Sequence, residues 1–194
     1  GADFLHSHIL HFYHLALPSY VEIEPGGASI APWSPTYGKD LKTDSTLTAH
    51  YVAALGARRL AHEMGAIFGG KLPHTAAYEF GGVTSVPTAA MITHFRAYLN
   101  PIVDFIDTVY LPDVDFLGQT YPEYYSIGRG YGNLLAFGVF DLNAAGTSKL
   151  LRRGFVNSAA PGTVKSVVLG NITESVAHSW YQGTADLKPA AGVT

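Results

Sequence analysis

Over residues 2–17 the apolar side chains Leu5, Ile9, Phe12, Tyr13 and Ala16 recur every three or four positions, the period of one helix face, and Pro18 ends the run. A second helical pattern follows Asp44, Ser45 and Thr46, whose short polar side chains can accept the first free amides of a helix. Leu47, Tyr51, Val52, Leu55, Leu60, Met64, Ile67 and Phe68 carry it to Gly69 and Gly70, with Pro73 just beyond; glycine then proline is how a helix stops. Between these two helices residues 24–43 are dense in Pro and Gly, which predicts an ordered loop anchored by Trp33. A third helix over residues 89–110 is capped by Thr88 and carries Met91, Ile92, Phe95, Leu99, Val103, Ile106 and Val109. Pro101 inside it predicts a kink or break near Asn100.

The pattern changes between and after the helices. Residues 76–87, with Tyr78, Phe80, Val83 and Val86 around Gly81 and Gly82, read as a short strand or hairpin. Beyond Tyr121 the chain is rich in Tyr, Phe, Val and Gly, which predicts strands over 133–142 and 150–156 and a further candidate at 165–169. Gly128, Gly130 and Gly132 form a turn expected to let Tyr124, Tyr125 and Tyr131 pack. A final helix is predicted over 173–181, before an extended tail. The expected class is α+β, with long helices in the first half and a small, mostly antiparallel sheet in the second half. Residues 1–112 are mainly helical in this reading, and 113–194 hold the sheet and the terminal helix, within one continuous segment 1–194 and without internal repeats.

Composition narrows the function. Of the 194 residues 14% are charged, against roughly 25% in ordinary domains, so part of the surface is expected to meet another protein. A net charge of -3 gives no electrostatic footprint for nucleic acid or an anionic membrane. No apolar run reaches the ~18 residues that cross a bilayer, so a soluble chain without direct membrane insertion is expected. It opens Gly-Ala-Asp-Phe-Leu, without Met or a basic leader, the expected look of a trimmed or excised product. There is no cysteine, which removes disulfides, thiolate zinc sites, iron–sulfur ligation and thiol catalysis.

Candidate chemistry lies in a few places. His6, His8, His11 and His14 share the first helix, and histidines three apart can share a metal; the other reading is polar contacts to a partner or to neighbouring helices. Gly65 to Lys71 has the G-x-x-x-x-G-K spacing of a phosphate loop, but Leu72 stands where a magnesium-binding hydroxyl belongs and the glycines end a helix instead of opening one, so a helix cap is expected. Gly128-Arg-Gly-Tyr-Gly132 lacks the dinucleotide spacing. Asn171 fits a helix cap with Glu174 in the capping-box position, and Glu174 and His178, four apart, would then face one way, either for function or as a capping glutamate beside a buried histidine. The residues taken alone lead to an α+β domain without a self-sufficient active site.

Several stretches, in order, resemble the large subunit of nickel–iron hydrogenases: Ser7-His-Ile-Leu-His-Phe-Tyr-His14, His62-Glu-Met-Gly-Ala-Ile-Phe-Gly-Gly-Lys-Leu-Pro-His74, Gly81-Gly-Val-Thr84, Asp107-Thr-Val-Tyr-Leu-Pro-Asp113, Gly130-Tyr-Gly-Asn-Leu-Leu-Ala-Phe-Gly-Val-Phe140 and Glu174-Ser-Val-Ala-His-Ser-Trp-Tyr181. Their order over nearly the whole chain carries the resemblance, which looks strongest to the hydrogen-uptake, membrane-associated branch. In that family two Cys-x-x-Cys pairs hold nickel and iron, and this chain has neither, so it resembles the middle of a large subunit, with no catalytic residue and no direct metal ligand of its own.

The resemblance implies outer-shell roles. Lys71 and His74 match a Lys-x-x-His segment that faces the small subunit near its iron–sulfur clusters. Glu174 matches a glutamate that hydrogen-bonds waters around a structural magnesium whose direct ligands lie elsewhere. The partners implied are the iron–sulfur small subunit and the remainder of the large subunit; the compartment implied is the periplasm or a membrane reached through partners, with the cytoplasm as alternative. The activity implied is reversible oxidation of hydrogen by the full enzyme, the isolated chain being inactive. Two other readings stand beside it: a cysteine-free, non-catalytic relative that serves as a scaffold or interaction subunit of a redox complex, and a histidine-ligated metal hydrolase.

Overall fold

The structure is a computed structural model that describes residues 1–21, 41 and 44–192; apart from Leu41, the loop expected at 24–43 with Trp33 lies outside them. The chain forms two compact units, Gly1–Tyr124 and Tyr125–Thr194.

In the first unit the opening helix takes three forms in succession. Helix α1 (Ala2–Leu10) widens into a π-helical stretch, His11–Ala16, and tightens into a 3-10 turn, Leu17–Ser19. Pro18 has no N–H to offer the carbonyl four residues back and its ring crowds that carbonyl, so the ladder opens before it and closes through Tyr20 N–H and Val21 N–H, both on the Leu17 carbonyl, at 2.8 and 3.1 Å. The same widening recurs later. Helix α3 (Ala89–Phe105) widens into a π stretch, Ile106–Tyr110, directly ahead of α4 (Leu111–Thr120), whose first turn holds Pro112. The break expected at Asn100 does not occur: α3 is continuous through Pro101, and the irregularity falls at its C-terminal end, over Ile106–Tyr110.

Helix α2 (Ser45–Gly69) is the centre of this unit. Its predicted cap forms, Asp44 accepting the Leu47 N–H at 2.8 Å, and Thr88 caps α3 in the same way at 3.2 Å. The buried face of α2 is small, with Ala54, Ala57 and Ala61 ahead of Met64, so α1 and α3 both lie close against it. Ile9, Tyr13, Leu17, Leu47, Ile102 and Leu117 complete the core. A two-residue hairpin pairs β1 (Tyr78–Glu79) with β2 (Gly82–Val83) across Gly81, whose φ of 85° a side chain would resist.

In the second unit four short strands form two antiparallel pairs. β3 (Leu134–Ala136) pairs with β6 (Gly154–Val156), and β4 (Val139–Asp141) pairs with β5 (Lys149–Leu151). Each predicted long strand is therefore two, because Gly138, with φ of 88°, and the Arg152–Arg153 corner switch the partner. Lys165 contributes one bridge, to Phe155, and not the strand expected at 165–169. The predicted terminal helix is also absent: Glu174 exchanges backbone bonds with Leu187 at 2.9 and 3.1 Å, so its amide and carbonyl are committed to a bridge and 173–181 is bridge and turn. Tyr125 and Tyr131 are exposed instead of packed, while Tyr124 stacks near Tyr20 and Tyr121. The class is α+β, with the long helices first and antiparallel pairs later.

Candidate functional site

The segment after α2 doubles back along the helix that precedes it. Gly70 ends the helix at φ 76°, its N–H on the Ala66 carbonyl at 2.8 Å, which is the cap expected of the phosphate-loop look-alike. Ala76 then returns its N–H to the Gly69 carbonyl at 2.9 Å. Two glycines four residues apart make the seat. A Cβ on Gly65 would stand 2.9 Å from the Leu72 side chain, and one on Gly69 would stand 2.6 Å from Thr75 Cγ2. With Leu72 and Thr75 turned inward, Lys71 and His74 are left on the outside, both exposed. His74 holds a left-handed backbone, φ 58°, uncommon for a residue with a side chain. The two residues singled out in the sequence thus share one outward-facing loop, anchored to α2.

Behind that loop lies a polar seam between α1, its π extension and α2. His62 Nδ1 donates to the Leu72 carbonyl at 3.2 Å, and its Nε2 is 2.8 Å from His6 Nε2. Arg58, one turn earlier on α2, reaches His6 at 3.4 Å and His14 Nδ1 at 3.2 Å, and His14 Nε2 donates to the Tyr51 carbonyl at 3.2 Å. Burial, with the neighbouring His62 and Arg58, holds the His6 ring below the ordinary imidazole range; burial and Arg58 do the same to His14. The histidines of the first helix therefore divide. His6 and His14 join Arg58, His8 donates to the Phe4 carbonyl at 2.8 Å, and His11 is exposed. No cluster of three metal-binding side chains occurs among the described residues.

A second polar centre is buried under the π stretches. Asp113, on the first turn of α4, accepts from Tyr13 Oη at 2.6 Å and from His50 Nδ1 at 2.8 Å. It is the one buried charged residue of the described chain. Burial and then the Asp113 carboxylate push the Tyr13 phenol far up, so it stays protonated and donates.

Glu174 and His178 are exposed in the second unit; without a helix the four-residue spacing no longer aligns them. Reading the sequence missed Arg58, His50 and the pairing of Asp113 with Tyr13. A signal was present for Arg58 and His62, which are polar, four apart and adjacent to the buried stripe Ala54, Ala57 and Ala61.

Residues 26–194 match the family model of nickel-dependent hydrogenases. The chain is 35% identical over 198 residues to the periplasmic [NiFeSe] hydrogenase large subunit of Desulfomicrobium baculatum, covering 95% of this chain and 37% of that one. It is 26% identical to the hydrogenase-2 large chain of Escherichia coli K12, covering 100% of this chain and 45% of the other. A solved structure of the Desulfomicrobium baculatum [NiFeSe] hydrogenase superposes with a TM-score of 0.80 at 34% identity, over 100% of this chain and 41% of that one. The chain spans less than half the length of these relatives.

Proposed function

The chain belongs to the nickel-dependent hydrogenase family, and from that premise we propose that it serves as part of a large subunit whose Lys71–His74 loop faces an iron–sulfur partner subunit. The observation that carries this reading is the loop itself: a cation and an imidazole held outward on a turn seated in two glycines. A fixed positive charge near a cluster favours its reduced form, because the added electron is stabilised by Coulomb attraction across a poorly screened interface. Lys71 supplies that charge, and His74 supplies a ring N–H that can donate to a cluster sulfur or to the backbone around it.

The nickel–iron centre that the family implies is not one these residues fit. The chain has no cysteine and so none of the thiolates the resemblance calls for; the ligands belong to the rest of the large subunit. Glu174 is proposed as a water-mediated neighbour of magnesium, supported by its exposed carboxylate. The remaining surface fits an embedded segment. In the second unit Leu134, Leu135, Leu142, Leu150 and Trp180 are each more than 60% exposed, apolar area of the kind that another part of a protein covers. With relatives that include a periplasmic enzyme and no described helix long and apolar enough to cross a membrane, the proposed setting is a periplasmic hydrogenase oxidising hydrogen and passing electrons to its partner.

The test is made in the assembled enzyme. Replacing His74 with Gln is expected to change electron transfer to the partner while nickel content stays at the wild-type level; loss of nickel with electron transfer intact would overturn the reading. The scaffold alternative is favoured by the absence of cysteine and is decided by the parent sequence, which carries flanking Cys-x-x-Cys pairs if the hydrogenase reading is right.

A further inference from the structure

Among the described residues His62 hydrogen-bonds both to the seam between α1 and α2 and to the loop that carries Lys71 and His74. The protons on its ring can be placed. The Leu72 carbonyl has no proton to give, so Nδ1 must carry the hydrogen of that 3.2 Å bond. A neutral ring then accepts at Nε2, which makes His6 the donor in the 2.8 Å contact; the two rings meet edge to face, with centroids 4.1 Å apart. Arg58 touches the same His6 nitrogen only at 3.4 Å, so the short bond between the rings governs.

The seam is not a conduit for protons. One end is a carbonyl, and the other passes through a guanidinium that does not give up its proton. What it can do is hold one tautomer in place. Leu72 is gripped twice, by its carbonyl on His62 and by its side chain over Gly65, where a Cβ would come within 2.9 Å. Lys71 and His74 flank that residue on either side.

We infer that His62 is a positioning residue: its Nδ1 proton anchors the Leu72 carbonyl and so sets where Lys71 and His74 project, while His6 holds the ring in that tautomer. The inference rests on the proposed role of the loop only for its functional consequence; the anchor itself is a property of the chain.

Two substitutions separate the bonds of the ring. His62→Asn keeps an amide N–H near the position of Nδ1 and cannot reach His6, whereas His62→Gln reaches toward His6 and leaves the Leu72 carbonyl without its donor. Amide hydrogen exchange on the full chain is expected to rise about tenfold over residues 71–76 in His62→Gln, the loss of one net hydrogen bond, and to stay near wild type in His62→Asn. Unchanged exchange in His62→Gln, or equal exchange in the two variants, overturns the anchor. Should His62→Gln fail to fold, nitrogen NMR of the wild-type ring decides: a proton on Nδ1 supports the anchor and a neutral ring protonated on Nε2 overturns it. In the assembled enzyme the partner's cluster potential is read as well. If His62→Gln loosens the loop while the potential stays put, the anchor stands and the interface reading of Lys71 and His74 falls; if the potential moves with it, both stand.

Discussion

Tyr13 donates a 2.6 Å hydrogen bond to Asp113, one hundred residues further along the chain, and with His50 it compensates the one buried charge of the described residues. Removing a partner from a buried carboxylate costs more than the bond's net worth, because the charge stays desolvated. Tyr13→Phe is expected to destabilise the first unit by about 1–3 kcal/mol, and Asp113→Ala, which removes the charge but leaves the Tyr13 hydroxyl and the His50 ring N–H without their acceptor, by about 2–5 kcal/mol. Urea unfolding followed by tyrosine fluorescence measures both; a double variant close to the larger single loss identifies them as one network.

Acid should weaken the same unit through a different pair. His6 and His14 are held below their ordinary value of 6.5, first by burial and then by neighbouring positive charge. The unfolded chain takes up these protons as pH falls through about 6.5 and the folded one takes them up only lower. Stability is therefore full above that value and declines with falling pH until the folded rings titrate. The urea midpoint should drop between pH 7.5 and 5.5, a span of about one unit either side of the free imidazole value. Arg58→Gln, which removes a lowering charge from both rings, should flatten that slope; an unchanged slope would show that Arg58 has no part in it.

The two seat glycines should respond unequally. A Cβ on Gly65 meets the end of the flexible Leu72 side chain, whereas one on Gly69 meets both Cγ2 and Cβ of Thr75, at 2.6 and 3.2 Å. Thr75 is β-branched and has little room to turn. Gly65→Ala is expected to lie within about 1 kcal/mol of wild type, helix propensity offsetting the contact. Gly69→Ala is expected to cost about 1–3 kcal/mol, read as a lower thermal midpoint.

Lys71→Met removes an exposed charge without changing the turn. In the assembled enzyme it should lower the reduction potential of the cluster proposed to face this loop by tens of millivolts, about the Coulomb effect of one charge at roughly 10 Å, and high salt should shrink the difference. A redox titration followed by electron paramagnetic resonance reads it.

The 194-residue chain, purified alone, should take up no hydrogen, since it carries none of the thiolates implied for the metal centre. A gas-uptake assay with an artificial acceptor checks this.

The helix caps were legible in the sequence because they are local: Asp44 lies three residues from Leu47, and Thr88 three from Met91. So was the turn after Gly70, where cap chemistry outweighed a phosphate-loop spacing. The terminal helix was not, since Glu174 commits its backbone to Leu187, thirteen residues on, and local propensity yields to a pairing of that range. The polar seam was hidden for the same reason. Arg58 meets His6 and His14 across 52 and 44 residues, distances over which periodicity carries no information. Lys71 and His74 were found by resemblance; their outward placement follows from which neighbours the glycines admit.

The widened turns ahead of Pro18 and Pro112 have a geometrical consequence. A residue added to a turn rotates everything downstream by about 100° relative to an unbroken helix. Tyr13 sits within one such turn and Asp113 in the first turn of the helix that follows the other, so the aim of both side chains depends on the phase of a widened turn. The two phase slips act as a matched pair of vernier settings. Shortening either turn by one residue would re-aim one side chain away from the other while leaving the sequence of both helices outwardly intact.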